Sequence, residues 1–235
     1  MHTLVPMQPP VSVVVPTHNR RALLERCMAA LARQRMTAFE AVLVDDGSTD
    51  DTPRAAMRLR EELKLDLKYV RQSQSQGPAC ARNQGWRAAQ GRLIAFTDDD
   101  CEPAPDWLPL LVQSLTNAEA DIAGIGGRVE PATDGLISRY MTYHRILEPP
   151  PSRSYLVTAN CIYRRSALEE VGGFNECVRT AGGEDPGLSF ALSERGYRFG
   201  FMDQAVVRHN YREGLLEFAR TFFRYGKGCR LVMDR

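Results

Sequence analysis

Three consecutive aspartates, Asp98, Asp99 and Asp100, stand one residue, Thr97, beyond the apolar run Leu93-Ile94-Ala95-Phe96. Neighbouring carboxylates repel one another and favour protonation unless something positive sits among them. Hard oxygen ligands suit magnesium and manganese, so a divalent cation and the phosphates it holds are the chemistry the triplet fits. An acidic turn ahead of Pro103 is the plain alternative. A second acidic run, Asp45-Asp46-Gly47-Ser48, follows the apolar segment Phe39–Val44 and tips the balance toward a site, although by itself it also reads as a turn with a helix cap. Thr17, His18 and Asn19 follow a third such segment, Val11–Val15. A carboxylate opposite a planar base can accept its ring N–H. Arg82 and Asn83, at the start of a helix, can reach a diphosphate together with helix N–H groups.

These residues work together only if the segments before them are adjacent parallel strands. The pattern predicts this. Val11–Val15, Phe39–Val44, Leu67–Val70 and Leu93–Phe96 read as short buried strands, and helical spacing predicts Arg20–Arg35, Pro53–Leu63, Ala79–Ala89 and Trp107–Thr116, the last capped by Asp106. Such alternation predicts an α/β fold with a mainly parallel central sheet and helices on its faces. Ligands bind outside the carboxyl ends of such strands. The second half is less regular. Strands are expected at Asp121–Val129, Leu156–Tyr163, Tyr197–Phe201 and Ala205–His209, with helices at Arg165–Val171, Pro186–Arg195 and Leu215–Tyr225, and a mobile loop at Glu148–Ser152. There is neither an internal repeat nor an inter-domain linker, so one domain is expected.

The bulk numbers narrow the classes. Of 235 residues, 43% are hydrophobic, enough for a real core, and 30 basic against 29 acidic side chains give no whole-protein pull toward nucleic acid. Six scattered cysteines without a Cys-x-x-Cys pair read as reduced thiols of a cytosolic protein. The first ten residues lack the pattern of a secretion signal, and no apolar run reaches the ~20 residues of a membrane span.

Six segments in order, VSVVVPTHNR from Val11, AVLVDDGSTD from Ala41, GPACARNQGW from Gly77, LIAFTDDDC from Leu93, NCIYRRSALEEVGGFNE from Asn160 and GGEDPGLSFALSERGYRF from Gly182, resemble glycosyltransferase family 2. That resemblance implies a Rossmann-like GT-A fold and an inverting, nucleotide-sugar-dependent transferase. The match runs from Val11 to about His209, and the expected division is a tail at residues 1–10, a transferase domain at 11–211 and a basic amphipathic helix at 212–235. Within the domain, 11–116 would bind the nucleotide sugar and 117–211 the acceptor. Asp46 then corresponds to the carboxylate holding the base, with Pro16, Thr17 and Asn19 around it, and Arg82 to a basic residue near the donor phosphates. Within the triplet, Asp100 is the preferred metal ligand, Asp98 another, and Asp98 or Asp99 faces the ribose. Asp185 matches the catalytic base, and His209 a histidine that helps hold Mn2+ or Mg2+. Without the family, Asp185 also reads as a helix cap and His209 as an ordinary histidine.

The donor implied is UDP- or GDP-linked, and the acceptor a glycan, a lipid-linked molecule or a small molecule, with no nucleic-acid partner. Arg212, Arg220, Arg224, Lys227 and Arg230 interleave with Leu215, Leu216, Phe218, Phe222 and Phe223. Such a helix either packs on the domain or lies on a membrane. The expected location is therefore cytoplasmic, with peripheral contact at the inner face of the membrane left open. The chain stops soon after this helix, which favours a single-addition transferase over a processive synthase. A nucleotidyltransferase would carry a Gly-rich phosphate loop where Pro16-Thr17-His18-Asn19-Arg20 stands. A silent nucleotide-sugar-binding scaffold is the remaining rival, and the retained Asp46, triplet and Asp185 argue against it.

Overall fold

In the computed structural model residues 10–233 are described; all but the last residue of the expected N-terminal tail lie outside them. The first half alternates β1 (Val11–Thr17), α1 (Arg21–Leu31), β2 (Glu40–Asp45), α2 (Thr52–Glu62), β3 (Asp66–Arg71), α3 (Pro78–Ala88) and β4 (Leu93–Thr97). The second half runs through β5 (Cys101–Pro103), α4 (Trp107–Thr116), β6 (Ile122–Pro131), α5 (Leu136–Tyr143), β7 (Asn160–Arg164), α6 (Arg165–Val171), α7 (Glu184–Ser193), β8 (Arg198–His209) and α8 (Leu215–Met233). All strands join one eight-stranded sheet in the order β3-β2-β1-β4-β7-β6-β8-β5.

β1 to β4 are mutually parallel, as their apolar runs predict. Val13, Val15 and Leu43 face one core layer, while Val14, Val42, Val44, Ile94 and Phe96 face the other. Both faces are covered, which is why these strands are near-continuous apolar runs. Leu24, Met28 and Leu31 of α1 and Trp107, Leu108, Leu111 and Leu115 of α4 close the first face. Trp86 of α3, Leu168 of α6 and Leu192 of α7 close the second. Beyond β4 the sheet is mixed: β7 runs antiparallel between β4 and β6, β8 parallel to β6, and β5 antiparallel at the edge.

Several expectations in the second half are corrected. Strand pairing starts at Asn160, not Leu156, because the N–H groups of Leu156 and Thr158 are taken by Ser189 Oγ (3.1 Å) and Asp185 Oδ2 (3.0 Å). The two strands expected at 197–209 are one, β8, with a bulge opposite Gly127/Arg128. α7 begins at Glu184, so Asp185 sits inside its first turn. α8 runs on to Met233, and β5 and α5 were not anticipated. Asp106 does not cap α4 with its side chain; it pairs with Arg35 (2.9 Å), and Gln34 Oε1 accepts the Leu108 N–H (2.9 Å) instead. The loop expected to be mobile is pinned at Glu148, which is buried, accepts the Val129 N–H (3.2 Å) and pairs with Arg145 (2.6 Å).

Candidate active site

The parallel register sets Thr17 at the end of β1 beside Asp45 at the end of β2, and β4 delivers the triplet to the same edge. Together these ends line a cleft of about 500 Å³. At one end Asp45 turns inward, accepting the Ser48 N–H (2.8 Å) and the Tyr69 hydroxyl (2.7 Å). Gly47 makes this turn at φ +69°, where a Cβ would lie 2.6 Å from the Gln74 carbonyl carbon. Asp46 faces the cleft beside Pro16, Thr17 and His18. Its carboxylate accepts the Ser75 hydroxyl (2.7 Å) and the N–H groups of Gln76 (2.7 Å) and Gly77 (3.0 Å). Asn19 does not line the cleft. Its side-chain oxygen accepts the N–H groups of Thr49 (2.8 Å) and Asp50 (3.2 Å), clasping the turn behind Asp46.

The triplet splits three ways. Asp99 is buried and accepts the Thr17 hydroxyl (2.7 Å) and Arg20 Nη1 (2.9 Å). Burial, against Arg20, pushes its pKa up to about 6. Asp100 Oδ2 takes the same Arg20 nitrogen (2.8 Å), while Oδ1 lies 3.3 Å from His209 Nε2 without hydrogen-bond alignment. Burial raises the Asp100 pKa but is outweighed by His209 and Arg20, which hold it well below the usual carboxylate range. In His209, burial is outweighed by Asp100, and the imidazole pKa rises. Asp98 faces the cleft and accepts Arg82 Nη2 (2.7 Å).

A cation fits here. Asp100 Oδ1 and His209 Nδ1 are both buried without a hydrogen-bond partner, a costly state for polar atoms. Asp100, Cys101 and His209 offer ligand atoms within 4.8 Å of one another, because the β5–β8 ladder sets Cys101 opposite His209. Burial pushes the Cys101 thiol far up, so it stays protonated and suits a hard cation poorly. Asp100 and His209 could serve a hard cation as donors; Asp98 is not in this group, its carboxylate being held by Arg82, and would have to turn to join them.

A second cavity, about 790 Å³, adjoins the first, and Arg82, Asp98 and Tyr225 line both. It contains Asp185, whose Oδ2 accepts the Thr158 N–H while Oδ1 has no partner. Burial and the neighbouring Glu184, against Arg82, push the Asp185 pKa up to about 7. Glu184 holds the approach to α7, accepting the N–H groups of Gly182 (2.7 Å) and Gly183 (2.9 Å). Its other oxygen takes Arg82 Nη1 (3.1 Å). Arg82 thus spans the two carboxylate groups, and its guanidinium is committed to Asp98 and Glu184.

Sequence reasoning missed four contributors. Arg20 and Glu184 ionically bind the predicted residues, and their only signal was charge beside a motif. Arg224 and Tyr225 of α8 line the cleft because α8 crosses its rim, where a Cβ on Gly228 would lie 2.6 Å from the Gly182 carbonyl carbon. Asn160, which opens the fifth of the family-like segments, is a buried knot, accepting the Trp107 indole N–H (2.8 Å) and donating to the carbonyls of Arg128 and Ala205 (2.8 Å each).

A mixed α/β sheet with its polar cleft at the carboxyl ends of β1, β2 and β4 is the GT-A fold of nucleotide-sugar glycosyltransferases. The mannosyltransferase PcManGT from Pyrobaculum calidifontis, solved with GDP-Man and Mn2+, superposes with a TM-score of 0.72 at 25% identity, over 95% of this chain and 65% of that one. S. aureus TarS with UDP gives a TM-score of 0.67 at 23% identity, over 86% of this chain and 60% of that one. The family model for glycosyl transferase family 2 matches residues 12–172, and the chain belongs to that family. Among its relatives, glycosyltransferase AglE of Haloferax volcanii is 29% identical over 227 residues, covering 94% of this chain and 73% of AglE. The pre-mycofactocin glycosyltransferase of Mycobacterium tuberculosis is 30% identical over 240 residues, 95% of this chain but 47% of that protein. The chain therefore spans about three quarters of one relative and about half of the other.

Proposed function

We propose that the chain moves a sugar from a nucleoside diphosphate sugar to an acceptor hydroxyl with inversion at the anomeric carbon. The observation that carries this is the uncommitted Oδ1 of Asp185, in a cavity that meets the triplet cleft at Arg82, Asp98 and Tyr225. The donor would lie in the first cavity, its base toward Asp46 and its diphosphate toward the triplet. The acceptor would enter the second. As its oxygen attacks the anomeric carbon, Asp185 takes the hydroxyl proton and the bond to the diphosphate breaks, leaving a nucleoside diphosphate. A pKa near 7 suits a base at neutral pH. Asp100, Asp98 and His209 would hold Mn2+ or Mg2+, which when bound neutralises charge on the departing diphosphate. Relatives solved with GDP-Man and Mn2+ and with UDP support a guanosine or uridine donor. On this reading residues 11–116 carry the donor, joined at the metal by His209, and the rest of 117–211 serves the acceptor.

Thermal unfolding with UDP or GDP, each with and without manganese, tests the donor half of the proposal. One nucleotide is expected to stabilise the protein only with manganese, by about 2.7 kcal/mol at a hundredfold excess over its dissociation constant. Asp100→Ala should abolish that shift. Stabilisation by neither nucleotide would sink the reading, and binding without turnover of the matching sugar nucleotide would leave a silent binder.

A further inference from the structure

Eight large apolar side chains stand exposed among the described residues, and six of them, Leu136, Tyr140, Tyr143, Leu215, Leu216 and Phe223, lie on α5 and α8. Isolated exposed apolar residues are ordinary, whereas a contiguous group marks an interaction surface. This group is contiguous. Leu136, Tyr140 and Tyr143 share one stripe of α5 at i, i+4 and i+7. The Tyr140 ring meets Phe218 (5.3 Å between centroids) and Phe222 (6.3 Å), which share their own stripe of α8 with Leu215. One step around α8, Leu216 and Phe223 alternate with Arg220 and Lys227.

Charge selects the occupant. Between residues 215 and 230, α8 turns Arg224 to the cleft and leaves Arg220, Lys227 and Arg230 exposed, against Glu217, which pairs with Arg220 (2.6 Å). A second copy of the chain would bring cations against cations. Apolar side chains interleaved with cations instead match the boundary between headgroups and acyl chains of an anionic bilayer, where tyrosine is also favoured. No helix among the described residues is long and apolar enough to cross a membrane.

We propose that the α5–α8 face docks on an anionic lipid bilayer. Tyr143, on the exposed stripe, also lines the second cavity, as do Tyr225 and Cys229 of α8, so docking brings that cavity to the lipid headgroups. Resting on the reading of this cavity as the acceptor site, the acceptor hydroxyl is then carried by a membrane lipid.

Flotation of the full chain with vesicles tests the surface. Binding is expected to phosphatidylcholine vesicles containing phosphatidylglycerol and not to phosphatidylcholine alone, and to fade as salt screens the charges. The pair Leu216→Asp and Phe223→Asp should abolish flotation, and Arg220→Gln and Lys227→Gln should each weaken partition about fivefold. Both sets should keep the native unfolding temperature, since these side chains are exposed. No flotation of the native chain, undiminished flotation of the aspartate pair, or a dimer that the same pair disrupts would overturn the proposal. The acceptor step is read separately, by label passing from the stabilising nucleotide's sugar into solvent-extractable lipid; label confined to water-soluble product overturns it. Vesicle binding without any nucleotide response would sink the transferase reading and leave the docking surface standing.

Discussion

Two acidic groups flank the seam between the cavities, and they are balanced differently. At the triplet, three carboxylates face Arg20, Arg82 and His209, and Asp100 stays charged well below the usual carboxylate range. At the start of α7, Glu184 and Asp185 face Arg82 alone, which already serves Asp98. Asp185 makes no ion pair there, and its proton affinity rises to about 7. The same side chain is thus set as a fixed anion in one place and as a proton acceptor in the other, by burial and by the count of nearby cations. The first state suits holding a cation and the second suits taking a proton from an acceptor.

The sharpest break of this comparison is Asp185→Asn, which keeps the acceptor for the Thr158 N–H and removes the base. Turnover is expected to fall about 10²- to 10⁴-fold. The manganese-dependent shift by nucleotide should survive, since the triplet is untouched. A loss below tenfold would move the base elsewhere. Next in size is Arg82→Ala, which strips the shared cation from both groups. Leaving Asp98 and buried Glu184 unpaired should cost about 3–5 kcal/mol in denaturant unfolding. Arg82→Lys should recover only part, because a point charge does not bridge two carboxylates as a planar fork does. A stable Arg82→Ala protein would mean that the two groups are not coupled through this residue.

How much of this was legible follows from how local each signal is. β1, β2 and β4 were readable because burial on both faces leaves unbroken apolar runs. Asp46, the triplet and Asp185 were readable as motifs behind or beside such elements. The division of labour within the triplet was not, because identical neighbours are told apart only by distant partners: Thr17, 82 residues from Asp99, and Arg20, 80 from Asp100. Arg82 was expected at the phosphates because a cation at a helix start fits an anion, and Glu184, 102 residues on, supplies a competing one. β5, with three residues, is too short for any periodicity. The apolar and basic stripes of α8 were visible, but the sequence gives no sign that Arg224 and Tyr225 turn inward over the cleft.

The finest test of the comparison is pH. If Asp185 is the base and holds its proton up to about pH 7, turnover should fall about tenfold per unit below that point and level off above it. Stability should move the opposite way. An unfolded aspartate releases its proton near pH 3.9, while the folded chain keeps the Asp185 proton to about 7, so between these values the unfolded state binds fewer protons. Each unit of rising pH then removes at most about 1.4 kcal/mol through this group, with some of that screened by solvent at the half-buried site. Asp99, pushed up to about 6, adds a loss of the same sign at lower pH. Unfolding curves of the native chain and of Asp185→Asn should therefore both slope below pH 6, and between 6 and 7 only the native chain should lose stability to this cause. Coincident curves in that upper window would show that Asp185 is already charged there, and the contrast between a fixed anion and a poised base would fail.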